Sequence, residues 1–190
     1  MTPRREAMAM TDQRGGTTSD PYVSPGNGNA WSADAAALGK VGGQRLLDVA
    51  VTADVPEAVR AALGLDAADE VVRRRRLMLL DDRPVEIATS FYPASIAADT
   101  DLARPGKIRG GAVAALAALG HAPAEVFEQI TARHPEVDEA EILGTDVHEP
   151  ILVLTRTNVD ALGMPVEHAV NCMVARLNGP LSYRMRRSTS

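Results

Sequence analysis

The stretch VVRRRRLMLLDDRPVEIATSFYP, residues 71–93, places two apolar runs on either side of the tetrapeptide DDRP, and the first run contains four consecutive arginines. Apolar segments rich in β-branched and aromatic residues, separated by a few Asp and Pro residues, are typical of a β-hairpin. The sequence therefore predicts a strand, a turn and a second strand here. This assignment decides how the arginines are used, because a strand presents its side chains alternately on two faces.

Alternation divides the arginine run between the two faces of the predicted hairpin. Arg74 and Arg76 point to one face, and the other two arginines point to the opposite face. With the turn at DDRP, Arg76 lies opposite Ala88 and Arg74 lies opposite Ser90. Such small or hydroxylated neighbours leave room for a carboxylate or phosphate, which arginine binds through two hydrogen bonds. A solvated edge strand, whose charges prevent aggregation, is the alternative that spacing alone leaves open.

The rest of the chain, from about residue 45 onwards, alternates short helices with strands. Glycine ends each predicted helix, and the β-branched residues of AEVFEQITARHP favour a strand. The order helix, hairpin, helix, strand, helix, hairpin predicts an α+β domain, an antiparallel β-sheet flanked by helices. The predicted helices are PEAVRAALGL, AVAALAALG and VDEAEILG, and the second hairpin joins ILVLTRTNVD to PVEHAVNCMVARL through ALGM.

The second hairpin contributes further candidate site residues. A turn at residues 160–163 predicts Arg156 opposite Glu167, and the pair forms either a cross-strand ion pair or a site where Glu167 accepts a hydrogen bond from a ligand. Alternation then gives one strand face to four residues: Glu167, Ala169, Asn171 and Met173.

The segment IRGGAVAAL, residues 108–116, offers a third polar element. Gly110 and Gly111 open a predicted helix, and the first N–H groups of a helix lie at the positive end of its dipole. A helix N-terminus of this kind binds anions, although a glycine pair before a helix also occurs in ordinary turns.

Composition excludes several functional classes. The 190-residue chain carries a formal net charge of -5, which argues against general nucleic-acid binding. A single cysteine, Cys172, excludes an internal disulfide framework and is expected to be a buried small hydrophobe. No apolar run approaches the roughly 20 residues that span a bilayer, and the N-terminus lacks the apolar region of a secretory signal. The sequence predicts a cytoplasmic protein.

The first 44 residues differ in composition from the rest of the chain. They are rich in Gly, Ser, Thr, Pro and Asn, so we expect residues 1–44 to be a mostly disordered tail or linker, with the domain over residues 45–190. Tyr22 and Trp31 are the residues of this segment expected to dock on the folded domain.

No catalytic constellation or metal site is predicted. The four histidines are dispersed, no spacing suggests metal ligation, and each histidine is expected at the surface or in a turn. We therefore expect no cofactor and no metal. The histidines are His121, His134, His148 and His168.

A family resemblance joins these elements. The blocks DDRPVEIATSFYP, IRGGAVAALAALGH, ITARHPEVDEAEIL and LVLTRTNVDALGMPVEH occur in the order found in the UTRA domain (UbiC transcription regulator-associated), and the resemblance runs over about residues 45 to 187. This is the effector-binding half of GntR-type bacterial repressors of the HutC subfamily. The resemblance implies a chorismate-lyase-like fold, a small-molecule pocket on one face of the sheet and a dimer.

The resemblance also implies site residues. The positions that contact a phosphate in sugar-phosphate-responsive relatives are occupied here by Arg74, Arg76, Gly110 and Gly111, and the glutamate after the GxP motif is Glu167. Two positions depart from those relatives, because Ala88 stands where an acid is found and Met173 stands where an aromatic residue is found. An amino-sugar phosphate is therefore not favoured, and the expected pocket is more apolar.

The expected function is that of an effector-sensing domain, with no catalysis, that binds an anionic or polar metabolite. A chorismate-lyase-like enzyme and a dimerisation module with a vestigial pocket are the alternatives. We expect a homodimer, because the strand PVEHAVNCMVA is too long and apolar for an exposed edge. Residues 1–44 contain no recognition helix, so we expect no direct DNA binding by this chain and a full-length GntR-type regulator as a possible partner.

Overall fold

An antiparallel β-sheet forms the centre of the structure. The computed structural model describes residues 16–17, 19–23, 30–178 and 180–184. In chain order the strands are β1 (Gly16–Thr17), β2 (Gly42–Thr52), β3 (Val71–Leu80), β4 (Arg83–Pro93), β5 (Pro123–Arg133), β6 (Ile151–Asp160), β7 (Pro165–Val174) and β8 (Tyr183–Arg184). Six of them form one antiparallel sheet in the order β2-β3-β4-β7-β6-β5, and β1 pairs with β8.

The helices are short and lie on both faces of the sheet. They are α1 (Asp20–Val23), α2 (Ala30–Ala37), α3 (Glu57–Leu63), α4 (Ala94–Ala97), α5 (Gly111–Ala118) and α6 (Val137–Leu143), with a 3₁₀ turn at Asp101–Ala103. None of the described helices has the length and apolar character needed to cross a membrane.

The first hairpin has the register that the sequence predicts. Arg76 pairs with Ala88 and Arg74 pairs with Ser90. The turn is Asp81–Asp82, and both residues have positive φ angles, 49° and 61°. A two-residue turn with positive φ at both positions follows the twist of antiparallel strands, and aspartate tolerates this conformation better than most residues.

Two similar halves build the sheet. Each half runs strand, helix, hairpin, and the sheet order places the last strands of the two halves, β4 and β7, side by side at its centre. Helices α3 and α6 both end at a glycine in the left-handed conformation, Gly64 (φ 65°) and Gly144 (φ 61°). The tripeptide Pro-Val-Glu occurs near the start of each second strand, at residues 84–86 and 165–167.

Apolar residues bury both faces of the sheet. On one face α6 packs through Leu143 against Leu77 and Ile151. On the other face Tyr92 and Leu116 belong to a cluster that α4 and α5 cover. Each such fully buried side chain stabilises the fold by about 1.5–3 kcal/mol, so both helical layers hold the sheet in place.

Two predictions about the strands differ from the structure. The second hairpin pairs Arg156 with Ala169 and Asn158 with Glu167, because the register shifts beside a four-residue turn. The strand PVEHAVNCMVA is β7, which lies in the middle of the sheet. Its apolar character therefore reflects burial between β4 and β6, and it gives no reason to expect a dimer.

The N-terminal segment also differs from the expected tail. Helices α1 and α2 and the start of β2 at Gly42 all fall within residues 1–44. The prediction of disorder over residues 1–15, 18 and 24–29 lies outside the described residues. Helix α2 packs closely on the sheet, because a Cβ added at Gly42 would come within 2.9 Å of the Cβ of Ala35.

Candidate functional site

A cavity of about 480 Å³ lies over one face of the sheet. Its floor consists of alternate side chains of β3, β4, β7 and β6, and most of its wall is apolar. Its roof is the segment formed by residues 19–23 and 30–38, here called the roof segment. A largely apolar cavity of this size with few polar groups is typical of a small-molecule site. The charged side chains in its lining are Asp34, Arg76, Glu86, Arg156 and Glu167.

The structure brings most of the predicted site residues together. A second cavity, of about 470 Å³, adjoins the first and shares Arg76, Gly111 and Trp31 with it. Arg74 lines this second cavity and not the first. The predicted residues that line the first cavity are Arg76, Ala88, Ser90, Gly110, Gly111, Glu167 and Met173.

Arg74 holds a loop of the protein. The guanidinium, only 3% exposed, donates hydrogen bonds to the carbonyl oxygens of Leu102 (2.8 Å), Arg104 (2.6 Å) and Gly106 (2.7 Å). Burial lowers the pKa of this arginine. Because these bonds occupy most of its donors, Arg74 has little capacity left for a ligand.

Arg76 is in the opposite situation. It is half-buried, it lines both cavities, and it forms no hydrogen bond or ion pair with any residue that the structure describes. The start of α5 lies in the same wall, where Gly110 adopts a φ of 76° and the N–H of Gly111 donates to Ile108. The next N–H groups of a helix have no partner within it, so Arg76 and α5 together present donors to the cavity.

Glu167 is buried and already hydrogen-bonded. The Tyr92 hydroxyl donates to Oε1 over 2.9 Å, and the Asn158 amide donates to Oε2 over 2.7 Å. Burial raises the pKa of Tyr92, and the charge of Glu167 adds to that effect. Each carboxylate oxygen can accept a second hydrogen bond, so Glu167 remains available to a ligand.

Glu86 is a cavity residue that the sequence analysis did not identify. It is 8% exposed, and burial raises the pKa of its carboxyl group to about 7, although Arg76 and Arg156 lower it. Across the described part of the chain it has no hydrogen-bond or ion-pair partner. The repeated Pro-Val-Glu tripeptide is the signal that would have found it, because it gives Glu86 the position that Glu167 has in the other half.

Arg156 forms its ion pair with a residue other than the one predicted. Its Nε lies 2.6 Å from Oε1 of Glu128 on β5, and both side chains are largely buried. The predicted cross-strand ion pair with Glu167 is therefore wrong, because the register places Asn158 opposite Glu167. The Arg156 guanidinium also lies 6.0 Å from the centre of the Tyr22 ring.

The roof segment is attached by aromatic side chains. The Tyr22 hydroxyl donates to Oδ2 of Asp34 over 2.6 Å, and the Trp31 indole donates to the carbonyl oxygen of Leu79 over 3.1 Å. Trp31 thus contacts the folded domain, as expected, whereas the hydrogen bond of Tyr22 stays within the roof segment and only its ring approaches the sheet, at Arg156. Burial raises the pKa of Tyr22, and the carboxylates of Asp34 and Glu86 raise it further.

The histidines and the cysteine do not form a reactive site. His168 is buried on β7, with Nδ1 2.9 Å from the Thr157 hydroxyl, so the expectation of a surface position is wrong for this histidine. Cys172 is buried as expected, and burial raises its thiol pKa to about 12. Within the described ranges no three His, Cys, Asp or Glu residues are grouped to hold a metal ion.

Comparison with known proteins places this architecture in a family. The family model of the UTRA domain matches residues 37–176. The chain belongs to the UTRA domain family. A UTRA domain is the ligand-binding effector domain of GntR-type transcriptional regulators, so the family is regulatory and not enzymatic.

Relatives and solved structures agree with this assignment. An uncharacterised HTH-type transcriptional regulator of Streptomyces coelicolor is 33% identical over 116 residues, which cover 60% of this chain and 43% of the regulator. The chain thus matches less than half of that relative's length.

Two solved structures show the same fold. The effector domain of PhnF from Mycobacterium smegmatis has a TM-score of 0.64 at 22% identity, covering 77% of this chain and 88% of that one. The C-terminal domain of the histidine utilization repressor from Pseudomonas syringae has a TM-score of 0.62 at 21% identity, covering 78% and 99%. The UTRA domain described here therefore has the chorismate-lyase-like α+β fold that the sequence predicts.

Proposed function

We propose that this UTRA domain binds a small anionic or polar metabolite in the cavity over the sheet and that this binding regulates transcription through a DNA-binding partner. The observation that carries the proposal is Arg76, an arginine in a cavity wall with no partner among the described residues. A partly buried guanidinium whose N–H donors have no acceptor is unfavourable, and an anionic group on a ligand would accept hydrogen bonds from them.

Two further features support an anionic group at this end of the cavity. The first turn of α5 faces the cavity beside Arg76, and its N–H groups favour a negative charge. Arg74 contributes indirectly, because its bonds to Leu102, Arg104 and Gly106 hold the loop that leads into α5. Ser90 and Glu167 supply polar contacts, whereas Ala88 and Met173 make the remaining surface apolar.

Native mass spectrometry of freshly purified protein tests this proposal, because it detects a co-purified molecule by its mass alone. The Arg76→Ala variant should lose about ten- to hundredfold in affinity, the usual effect of removing one charge-assisted contact. Arg75→Ala is the matched control, since Arg75 lies on the other face and pairs with Asp138 at 3.4 Å. Equal loss in both variants, or none in Arg76→Ala, contradicts an anion at this position.

A homodimer is part of the proposal, and edge strand β5 supports it. Both faces of β5 carry exposed apolar side chains, among them Phe127 at 56% exposure and Ile130 at 37%. A second copy related by a two-fold axis would pair β5 with β5 in antiparallel orientation and cover these residues. Sedimentation equilibrium at micromolar concentration should show a wild-type dimer that Phe127→Lys dissociates. Val51→Lys, on the opposite edge strand β2, is the control and should leave the dimer intact. A monomeric wild type would refute the proposed dimer.

The regulatory partner is proposed to be a full-length GntR-type regulator in the cytoplasm, the compartment that contains the DNA. This chain is proposed not to bind an operator by itself, because the net charge of its 190 residues is -5 and the alternation of β3 splits the arginine run between two faces. A mobility-shift assay with this chain alone should show no sequence-selective, salt-dependent binding.

A further inference from the structure

Glu86 and Glu167 occupy equivalent positions in the two halves of the sheet, but their surroundings differ. Each is the glutamate of a Pro-Val-Glu tripeptide and each lines the cavity. Glu167 lies opposite Asn158 and receives hydrogen bonds from Asn158 and Tyr92. The protein thus supplies one hydrogen-bond donor to each oxygen of the Glu167 carboxylate.

Glu86 has methionine at the corresponding places. Met78 lies opposite it on β3, and Met173 lies opposite it on β7. A thioether cannot donate a hydrogen bond, so neither methionine can satisfy this carboxylate. Burial accordingly raises its pKa to about 7. Any donor or cation for Glu86 has to come from above the sheet, from the cavity.

The charged groups around Glu86 do not neutralise it. Arg76 on β3 lowers the pKa of Glu86 through space but forms no hydrogen bond with it among the described contacts. Arg156 on β6 is already ion-paired with Glu128 at 2.6 Å. Asp34 on the roof segment adds another negative charge close by, because both carboxylates act on the Tyr22 hydroxyl.

The cavity lining therefore contains more acidic than basic side chains. Its charged members are three carboxylates and two arginines, and one of those arginines is neutralised by Glu128, which lies outside the lining. An unpaired buried carboxylate is costly unless a cation accompanies it. An anion alone would satisfy Arg76 and leave Glu86 without a partner.

We infer that the cavity has a second recognition end, formed by Glu86 on β4 with Asp34 and Tyr22 of the roof segment, that binds a cationic nitrogen. This inference rests on the proposed function, and it specifies the effector as a zwitterion with an anionic group at Arg76 and an ammonium or amidinium group at Glu86. The connecting part of the ligand is apolar, because Ala88 and Met78 are the cross-strand neighbours of Arg76 and Glu86 and line the cavity beside them.

Three matched probes separate the two ends of the cavity: hexanoate, hexylammonium and 6-aminohexanoate. Calorimetric titration at about pH 8 should show all three binding to the wild type. Glu86→Gln, which keeps the shape and removes the charge, should weaken hexylammonium and 6-aminohexanoate by about tenfold or more and leave hexanoate unchanged or tighter. Glu141→Gln, an exposed carboxylate on α6 across the sheet, is the control and should change nothing.

The outcomes distinguish this inference from the function on which it rests. In one outcome hexanoate binding depends on Arg76, but the two amines bind equally to wild type and Glu86→Gln, or do not bind. This outcome would overturn the site for a cation at Glu86 and would still support the anion site at Arg76. Failure of all three probes would overturn both.

A second measurement uses the wild type and does not depend on a variant. At about pH 6 Glu86 is protonated in the empty cavity, so hexylammonium binding should release up to about one proton. Titration in buffers of different ionisation enthalpy measures this release. The groups that interact electrostatically with Glu86 are Arg76, Arg156, Tyr22 and Cys172, and Asp34 accepts the hydrogen bond of Tyr22. Burial raises the pKa of Tyr22 and of the Cys172 thiol, so neither group loses a proton over about pH 6–8. Binding without proton release would contradict the inference.

Discussion

Replacing Glu86 with glutamine should stabilise the domain at alkaline pH and leave its stability unchanged at acid pH. The pKa of Glu86 rises from 4.5 to about 7 on folding because the carboxyl group is buried. A raised pKa means that the folded protein binds the proton more tightly than the unfolded chain does. The stabilising contribution of the protonated group is thus complete below about pH 4.5 and is lost as the pH rises through about 7.

The magnitude follows from the difference between the two pKa values. At about 1.36 kcal/mol for each factor of ten in the ionisation constant, ionised Glu86 costs the folded state about 3 kcal/mol at about pH 8.5. For a chain of this size, that corresponds to a melting temperature about 6–12 °C higher in Glu86→Gln than in the wild type. At about pH 4, where the wild-type carboxyl is protonated in both states, the two proteins should melt together.

Urea unfolding followed by circular dichroism, at several pH values between about 4 and 8.5, measures this difference directly. Glu141→Gln is the control and should follow the wild type at every pH, because Glu141 is exposed. A stability gap between Glu86→Gln and wild type that does not vary with pH would refute the reasoning. It would mean that Glu86 is paired in solution and that burial does not dominate its pKa.

Two other substitutions test the roles assigned to charged residues. Arg74→Ala should cost about 3–5 kcal/mol in unfolding free energy, because three carbonyl groups of the loop at residues 102–106 lose their donor, whereas Arg75→Ala should cost no more than about 0.5 kcal/mol. Glu139→Gln should cost about 1–2 kcal/mol at neutral pH. Burial raises the pKa of Glu139, but hydrogen bonds from Arg133, the Glu136 N–H and Cys172 together outweigh burial and lower this pKa to about 2, while solvent at the half-exposed Arg133 reduces the effect. A lowered pKa stabilises the fold above about pH 4.5, so this second cost should disappear as the pH falls towards about 2, and urea unfolding at both ends of that range checks it.

Local patterns predicted the parts of this fold that depend on local geometry. The prediction of the first hairpin centred the turn on Asp82, and this gave the observed pairs Arg76–Ala88 and Arg74–Ser90. The turn itself has two residues, and a register shift between Met78 and Leu79 brings the strands from this turn into the predicted pairing. The second hairpin has a four-residue turn followed by a register shift, and no local signal distinguished the observed pairing from one displaced by two residues. Displacement by two residues preserves the faces, so the assignment of Glu167 and Met173 to the cavity survived the error.

Long-range contacts account for what the sequence did not reveal. The carbonyl groups that accept hydrogen bonds from Arg74 belong to a loop about 30 residues further along the chain. Strand alternation gives the face on which a guanidinium lies, but it does not tell whether the guanidinium contacts solvent, a ligand or carbonyl groups. The roof segment has the composition of a linker, yet Trp31 and Ala35 hold it on the sheet. Glu86 carries no turn or charge pattern of its own, so only the tripeptide repeat in which it lies distinguishes it from a surface glutamate.

The two ends of the cavity contact elements that are attached to the sheet in different ways. The Arg76 end is bounded by α5, which Leu116 anchors in the core. The Glu86 end is bounded by α1 and α2 of the roof segment, where Tyr22 bonds to Asp34 within the segment itself. A ligand shifts a conformational equilibrium only as far as it binds one arrangement better than another. A cation that contacts both Glu86 on the sheet and Asp34 on the roof segment would bind only when the roof segment lies on the sheet. Binding at the Glu86 end would therefore stabilise this position of the roof segment, and that is how a ligand in the cavity would affect the N-terminal part of the chain.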